Sequence, residues 1–148
     1  MRKLNSKLLY VFCALLFFSA FTSGKKDIIT IFMIGDSTMA NKSLKNGNIE
    51  RGWGQMLPEF LIGDVRVDNH AMNGRSSQSF IDEGRWDVVL SKLKSGDYVF
   101  IQFGHNDEKS AEELHTIPGS TFDENLRRFV RETRAKGAYP VLFNSIVR

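Results

Sequence analysis

The sequence predicts an α/β protein with a flavodoxin-like, three-layer architecture, in which helices cover both faces of a central parallel sheet. Short apolar runs rich in β-branched and aromatic residues alternate along the chain with segments of helical periodicity. Clusters of Gly, Ser, Asn and Asp directly follow the first three of these runs. Ligands of open parallel sheets bind beyond the carboxyl ends of the strands, so these clusters also predict where a functional site lies.

Four strands are predicted, and we expect them to lie in the spatial order 2-1-3-4. The first, IITIFMI, is an apolar run ending at Gly35 and is typical of a buried parallel strand. The chain stops at Arg148, directly after the last run, so no helix follows to cover that strand. We therefore expect an incomplete sheet, and a chain that is the N-terminal portion of a longer protein. The predicted strands cover residues 28–34, 65–69, 97–103 and 139–145.

Three helices are predicted from the spacing of apolar residues. Pro58 lies within the first and predicts a kink or a late start. Thr121 and Glu124 fit a capping box at the start of the third, and Gly137 is a good stop signal after it. The predicted helices cover residues 52–62, 86–93 and 121–136.

The first 24 residues have the layout of a secretory signal peptide. A positive region, residues 1–7, precedes an apolar run, residues 8–21, that is short for a membrane span, and small residues follow. A retained N-terminal anchor is the alternative. Removal of residues 1–24 would take away the only cysteine of the chain, Cys13. The remaining domain, residues 25–148, would have no stable membrane anchor. We expect a secreted or periplasmic bacterial protein.

The charge balance argues against a nucleic-acid partner. The chain carries 20 basic and 17 acidic residues, but Arg2, Lys3 and Lys7 are the basic residues of the first 24, which hold no acidic one. The basic excess therefore lies wholly in the predicted signal peptide, and the body of the protein is neutral. A nucleotide-binding domain is also disfavoured, because neither GxxxxGK[ST] nor GxGxxG is present.

The polar clusters predict chemistry of the acyl-transfer type. Ser37 follows the first strand at a predicted strand-to-helix turn, where the N-terminus of a helix would favour developing negative charge. The backbone N–H groups of Ser37 and Gly74, with the side-chain amide of Asn106, would form an oxyanion hole. The alternatives are that Ser37 is an ordinary helix N-cap, Gly74 a turn glycine and Asn106 a loop residue bonded to local backbone.

These segments resemble the SGNH (GDSL-type) hydrolases. The matching motifs are GDSTMA at 35–40, Asn-x-Ala-x-x-Gly-Arg-Ser-Ser at 69–77 and FGHND at 103–107, and RGWGQ at 51–55 is similar to the rhamnogalacturonan acetylesterase branch. The resemblance implies the SGNH hydrolase fold, a nucleophilic Ser37, and Gly74 and Asn106 in the oxyanion hole. It also implies removal of acetyl groups from pectic polysaccharide through an acetyl-serine intermediate, with no metal or organic cofactor.

Four further residues are expected near an acetylated plant cell-wall polysaccharide or oligosaccharide: Asp36, Asn73, Arg75 and His105. Arg75 could bind the carboxylate of galacturonate or serve as a surface salt-bridge partner. His105 is expected to buttress its loop, with a role as substitute base as the alternative. Ligation of a metal by Asp36, His70, His105 or Asp107 is disfavoured, because no helical HxxxH or HExxH spacing is present.

The sequence departs from the family pattern in one respect. The resemblance implies a catalytic Asp-x-x-His near the C-terminus, but none of His70, His105 and His115 follows an Asp by three positions. A serine hydroxyl without a base is a poor nucleophile. The alternative function is therefore a non-catalytic carbohydrate-binding protein or an inactive, truncated remnant.

Overall fold

A computed structural model describes residues 28–146. The predicted signal peptide, residues 1–24, lies outside the described residues. The strands are β1 (Ile29–Gly35), β2 (Val65–Asn69), β3 (Tyr98–Gln102) and β4 (Tyr139–Leu142). The helices are α1 (Trp53–Met56), α2 (Ser77–Asp82), α3 (Arg85–Lys92) and α4 (Thr121–Ala135), with 3-10 turns at Lys45–Gly47 and Leu57–Phe60.

The strands form one parallel sheet in the order β2-β1-β3-β4, which confirms the predicted order. The central strand β1 pairs with β2 from Ile29 opposite Val65, and with β3 from Ile31 opposite Tyr98. All four strands run the same way, so their carboxyl ends meet at one edge. The loops that follow β1, β2 and β3 therefore begin side by side.

Alternate residues of the central strands enter two separate cores, as expected for a sheet covered on both faces. Phe32 and Ile34 face the side of α2, α3 and α4, where Trp86 and Phe129 pack edge to face with ring centroids 5.0 Å apart. Ile31 and Met33, of the opposite parity, face α1 and the following 3-10 turn, in a core that also buries Met39, Ala40 and Ala71.

Two details of the predicted helices are wrong. The helix predicted over residues 52–62 is a single α-helical turn followed by a 3-10 turn that starts just before Pro58, which fits the missing N–H of proline. The capping box predicted at Thr121 and Glu124 is absent, because Ser120 is the N-cap and the Thr121 hydroxyl instead accepts the Ile117 N–H at 2.8 Å.

The last strand is shorter than the predicted segment 139–145 and ends at Leu142. Beyond it, the Phe143 N–H still donates to the Ile101 carbonyl at 2.9 Å, and the Asn144 carbonyl accepts a hydrogen bond from the Gln102 side chain at 3.0 Å. Tyr139 and Leu142, on this edge strand, are 55% and 53% exposed. None of the helices within residues 28–146 is long and apolar enough to cross a membrane.

Candidate active site

The Ser37 segment is a tight turn at the end of β1, and the predicted helix is not there. Residues 36–40 close on the Asp36 carbonyl, which accepts hydrogen bonds from the Met39 and Ala40 N–H groups at 3.3 and 3.0 Å. A helix would next use the Ser37 and then the Thr38 carbonyl, but Trp53 N–H donates to the Thr38 carbonyl at 3.0 Å. Tertiary contacts thus stop the helix after one turn. The prediction of a helix N-terminus at Ser37 is wrong.

The Ser37 hydroxyl is free within this turn. The residue is half-buried, and no hydrogen bond joins its side chain to another residue of the 28–146 segment. Asp36, beside it, is 1% exposed, and its Oδ1 accepts both the N–H and the hydroxyl of Thr38 at 2.8 Å. The Asp36 carboxylate therefore fixes the turn from below. Its predicted contact with substrate stays a prediction.

A side-chain network beneath the turn was not anticipated from the sequence. The Gln102 Oε1 accepts the indole N–H of Trp53 at 2.7 Å and lies 3.0 Å from the Thr38 hydroxyl. Its Nε2 donates to the Asn144 carbonyl at 3.0 Å. The end of β3 thus supports the turn after β1. The polar Gln102 at the end of the otherwise apolar run YVFIQF was the available signal.

The second polar cluster lies directly beside the first. Met72 N–H donates to the Gly35 carbonyl at 3.0 Å, and the Asn69 amide donates to the Met39 carbonyl at 3.0 Å. These bonds bring the loop after β2 against the Ser37 turn. Gly74, in this loop, has a φ of +75° and is exposed. A Cβ there would meet nothing within 4 Å, so glycine is favoured by the positive φ and not by a lack of space.

The third cluster is joined to the second through Asn106. This side chain is 2% exposed, and its Nδ2 donates to the Arg75 carbonyl at 3.0 Å. An amide nitrogen carries two hydrogens, so one remains for a ligand. The structure thus brings the three clusters that hold Ser37, Gly74 and Asn106 to one edge of the sheet. Such donors suit an oxyanion beside a serine hydroxyl.

Asp107 is a buried carboxylate at the back of this arrangement. It is 3% exposed, and its oxygens accept from Ser77, Gly104 and Thr116. Burial raises the pKa of Asp107 above its ordinary value, against the hydrogen bonds from Ser77, Thr116 and Gly104, which act to lower that pKa. The sequence reasoning considered Asp107 only as a metal ligand and missed this structural role.

The helix α2, which follows the second cluster, was also missed. Its N-cap is Ser76, which forms a capping box with Ser79. Ser76 and Ser79 replace the Ser/Thr and Glu/Gln of the familiar signature, so the pattern was not visible in the sequence. The serines of this segment are buried and serve the helix start rather than the surface.

Arg75 and Asn73 form a polar rim outside the cluster. Arg75 Nε lies 3.0 Å from Glu83 Oε1, and its Nη1 donates to the Asn73 carbonyl at 3.1 Å. Asn73 Oδ1 accepts from Lys42 at 2.9 Å. Of the two roles considered for Arg75, the salt bridge is therefore present. Contacts of Arg75 and Asn73 with a sugar stay predictions.

Each histidine of the described segment has a partner other than Ser37. His70 Nε2 lies 3.2 Å from Asp68, and His105 Nδ1 lies 3.5 Å from Glu108. His115 Nδ1 lies 3.0 Å from the carbonyl of Lys109. His105 is thus placed to buttress its loop, and its contact with substrate stays a prediction. Within residues 28–146, no group of three or more His, Cys, Asp or Glu side chains is arranged to hold a metal ion.

Curated relatives carry names that refer to acetylesterases. The rhamnogalacturonan acetylesterase RhgT of Bacillus subtilis is 40% identical over 123 residues, which cover 83% of this chain and 51% of that protein. The probable rhamnogalacturonan acetylesterase YesY of the same organism is 36% identical over 119 residues, covering 80% and 54%. The chain spans about half the length of these relatives.

A solved structure and a family profile agree with this similarity. The crystal structure of YxiM from Bacillus subtilis superposes with a TM-score of 0.71 at 33% identity, covering 80% of this chain and 33% of that one. Residues 33–147 match the profile of the GDSL-like lipase/acylhydrolase family, a range that contains all three polar clusters. The chain belongs to the GDSL-like lipase/acylhydrolase family.

Proposed function

We propose that the protein is a carboxylic ester hydrolase that removes acetyl groups from pectic polysaccharide, as a rhamnogalacturonan acetylesterase does. The observation that carries the proposal is the meeting of three loops at one sheet edge. The Met72 N–H to Gly35 carbonyl bond and the Asn106 amide to Arg75 carbonyl bond hold these loops together. The names of the relatives supply the acetyl and pectin parts of the proposal.

In the proposed reaction, the Ser37 oxygen attacks the acetyl carbonyl carbon. The backbone N–H groups of Ser37 and Gly74 and the amide of Asn106 bind the oxyanion that forms. Collapse of this intermediate breaks the ester bond to the sugar oxygen, which leaves with a proton as the free hydroxyl. Water then attacks the acetyl-serine, releasing acetate and restoring the hydroxyl of Ser37.

The reaction also needs a group that takes the Ser37 proton. His70, His105 and His115 are held by other partners, so none of them is assigned this role. That observation favours one rival function, a protein that binds acetylated carbohydrate without hydrolysing it. The two functions differ in whether Ser37 becomes covalently modified.

The test uses the protein expressed from its complete reading frame. We expect it to release acetate from acetylated rhamnogalacturonan, and expect a serine-directed phosphonate to add its mass at Ser37. Ser37→Ala should abolish both results. Ser91→Ala is the matched control, because Ser91 is exposed on α3 and bonds only the Val88 carbonyl, at 2.8 Å. Full activity of Ser37→Ala would refute the nucleophile; binding of acetylated oligosaccharide without label or acetate would support the rival function.

Export is a separate part of the proposal. It rests on the apolar run between residues 8 and 21 that follows a basic N-terminus. We expect the mature protein in the medium or periplasm to start near residues 20–24. Determination of the N-terminal sequence of the exported protein tests this, and retention of residues 1–24 in a membrane fraction would indicate an anchor instead.

A further inference from the structure

Asp107 connects three separate segments of the chain behind the proposed oxyanion hole. Its Oδ1 accepts the Ser77 N–H at 2.9 Å and the Thr116 hydroxyl at 3.1 Å, and also accepts the Ser77 hydroxyl. Its Oδ2 accepts the Gly104 N–H at 3.0 Å. The carboxylate is 3% exposed, and its own backbone carbonyl accepts the Thr116 N–H at 2.9 Å. The bonds to Ser77 and to Thr116 would be lost or strained if the segments separated.

Two of these segments carry the donors of the site. Ser77 begins α2 and follows the loop of Gly74 and Arg75, whose carbonyl accepts from Asn106. Gly104 begins the loop that holds Asn106 itself. The Asp107 carboxylate and the Asn106 amide, both buried, therefore span the same two loops. The Asn106 amide can stay in place only while these loops keep their spacing.

A second layer holds the carboxylate in turn. Asn125, on α4, donates from Nδ2 to the Ser77 hydroxyl at 3.1 Å. That leaves the single proton of the hydroxyl for the Asp107 carboxylate. The carboxylate has only acceptor sites, and four donors point at them. An asparagine there would offer one oxygen and one NH₂ group. The NH₂ group would face other donors, either the N–H of Gly104 or the donors of Ser77 and Thr116.

We propose that Asp107 is a positioning residue that fixes the amide of Asn106 for oxyanion binding; this inference rests on the proposed esterase function. Asp107 touches neither the substrate nor the Ser37 oxygen in this role. It acts by holding the loop after β3 against the start of α2. Its loss should therefore lower kcat through the oxyanion contact and leave the binding of a small ester almost unchanged.

The test is a double-mutant cycle on the protein from its complete reading frame. Hydrolysis of 4-nitrophenyl acetate is measured for the parent, Asp107→Asn, Asn106→Ala and the double variant, below the melting transition of each. Removal of an oxyanion donor costs about 10²–10³ in kcat. We expect Asp107→Asn to lower kcat by about 10- to 100-fold, with KM within about 2-fold, and to have an effect of less than about 3-fold when Asn106 is already Ala.

The matched control is Asp87→Asn, a change of the same type at an exposed carboxylate that lies 3.8 Å from Arg128. It should leave kcat unchanged. If Asp107→Asn does not fold, Ser77→Ala and Thr116→Val each remove a single donor and should show smaller losses of kcat with the same dependence on Asn106. If Asp107→Asn lowers kcat by the same factor in the parent and in the Asn106→Ala variant, the role of Asp107 is merely structural and the inference is overturned.

The failures of the two proposals are distinguishable. An inactive parent, or an Asn106→Ala variant with parental kcat, would refute the proposed oxyanion hole and the inference with it. A large loss in Asn106→Ala together with parental kcat in Asp107→Asn would refute only the role of Asp107.

Discussion

Gly52→Ala is the substitution for which the structure gives the sharpest expectation. Gly52 is buried and has a φ of −79°, a conformation that any residue adopts. A Cβ there would lie 2.0 Å from the Ala40 carbonyl oxygen and 2.8 Å from the carbonyl carbon and oxygen of Met39. Ordinary contact begins at 3.4 Å, so the two backbone segments would have to separate by about 1.4 Å, the difference from 2.0 Å.

The expected loss in the free energy of unfolding comes from the clash and from a hydrogen bond between the two backbone segments. Trp53 N–H donates to the Thr38 carbonyl at 3.0 Å, next to the clash, and a separation of that size would break the bond. Overpacking of a core costs about 1–3 kcal/mol, and a lost hydrogen bond about 0.5–1.5 kcal/mol. We expect Gly52→Ala to lower the free energy of unfolding by about 3 kcal/mol, and Tm by about 10 °C for a domain of roughly this size.

Thermal unfolding followed by near-UV circular dichroism measures this, with Gly63→Ala as the control. Gly63 has a φ of +90°, but a Cβ there would meet nothing within 4 Å. Its substitution should cost about 1 kcal/mol, from backbone strain alone. The reasoning is refuted if Gly52→Ala is less destabilising than Gly63→Ala. Because the clash lies beside the Ser37 turn, labelling of Ser37 by a phosphonate should slow in Gly52→Ala and not in Gly63→Ala.

Three further predictions concern the site, its rim and the core. Asn106→Ala should lower kcat for an acetate ester by about 10²–10³ with little change in KM, as steady-state kinetics will measure; parental kcat contradicts the oxyanion role. Hydrogen bonds from Arg85, which has the larger effect, and from Arg75 lower the pKa of Glu83 below its ordinary 4.5. The stability that these bonds confer is therefore present above pH 4.5 and lost as pH falls through the lowered pKa; an NMR titration that finds a pKa of 4.5 or higher contradicts this. Trp86→Phe removes the indole bond to Glu132 at 2.6 Å and should cost about 1–3 kcal/mol in urea unfolding, so a neutral effect refutes the role of that bond.

The strands and their order could be predicted because the information is local or general. A buried parallel strand needs a continuous apolar run, and residues 28–34 and 97–103 supply such runs. β1 and β3 fall within one residue of the predicted ranges, and β2 coincides with its prediction at 65–69. The convergence of the polar clusters then follows from the parallel arrangement alone, since every strand ends at the same edge.

The errors lie where contacts distant in sequence decide the local structure. The turn of Ser37 is short because Trp53, 15 positions beyond Thr38, takes the carbonyl that a helix would have used. The last strand is shorter than predicted, and beyond it the Asn144 carbonyl bonds the side chain of Gln102, 42 positions earlier in the chain. The role of Asp107 was not visible because its donors come from three segments. No periodicity or spacing in one segment reports such contacts.

The absence of a helix at Ser37 changes where the stabilisation of an oxyanion would come from. A helix N-terminus would have supplied a dipole, with a field that does not depend on neighbouring loops. Here the Ser37 N–H belongs to a turn, and the other two proposed donors come from the loops after β2 and β3. Preorganisation therefore depends on bonds between loops: Met72 to the Gly35 carbonyl, Asn106 to the Arg75 carbonyl, and the donors of Asp107. Substitutions that loosen one of these bonds without unfolding the sheet should lower kcat with little change in Tm. In a site that relied on a helix dipole, kcat and Tm would fall together, when the helix itself was lost.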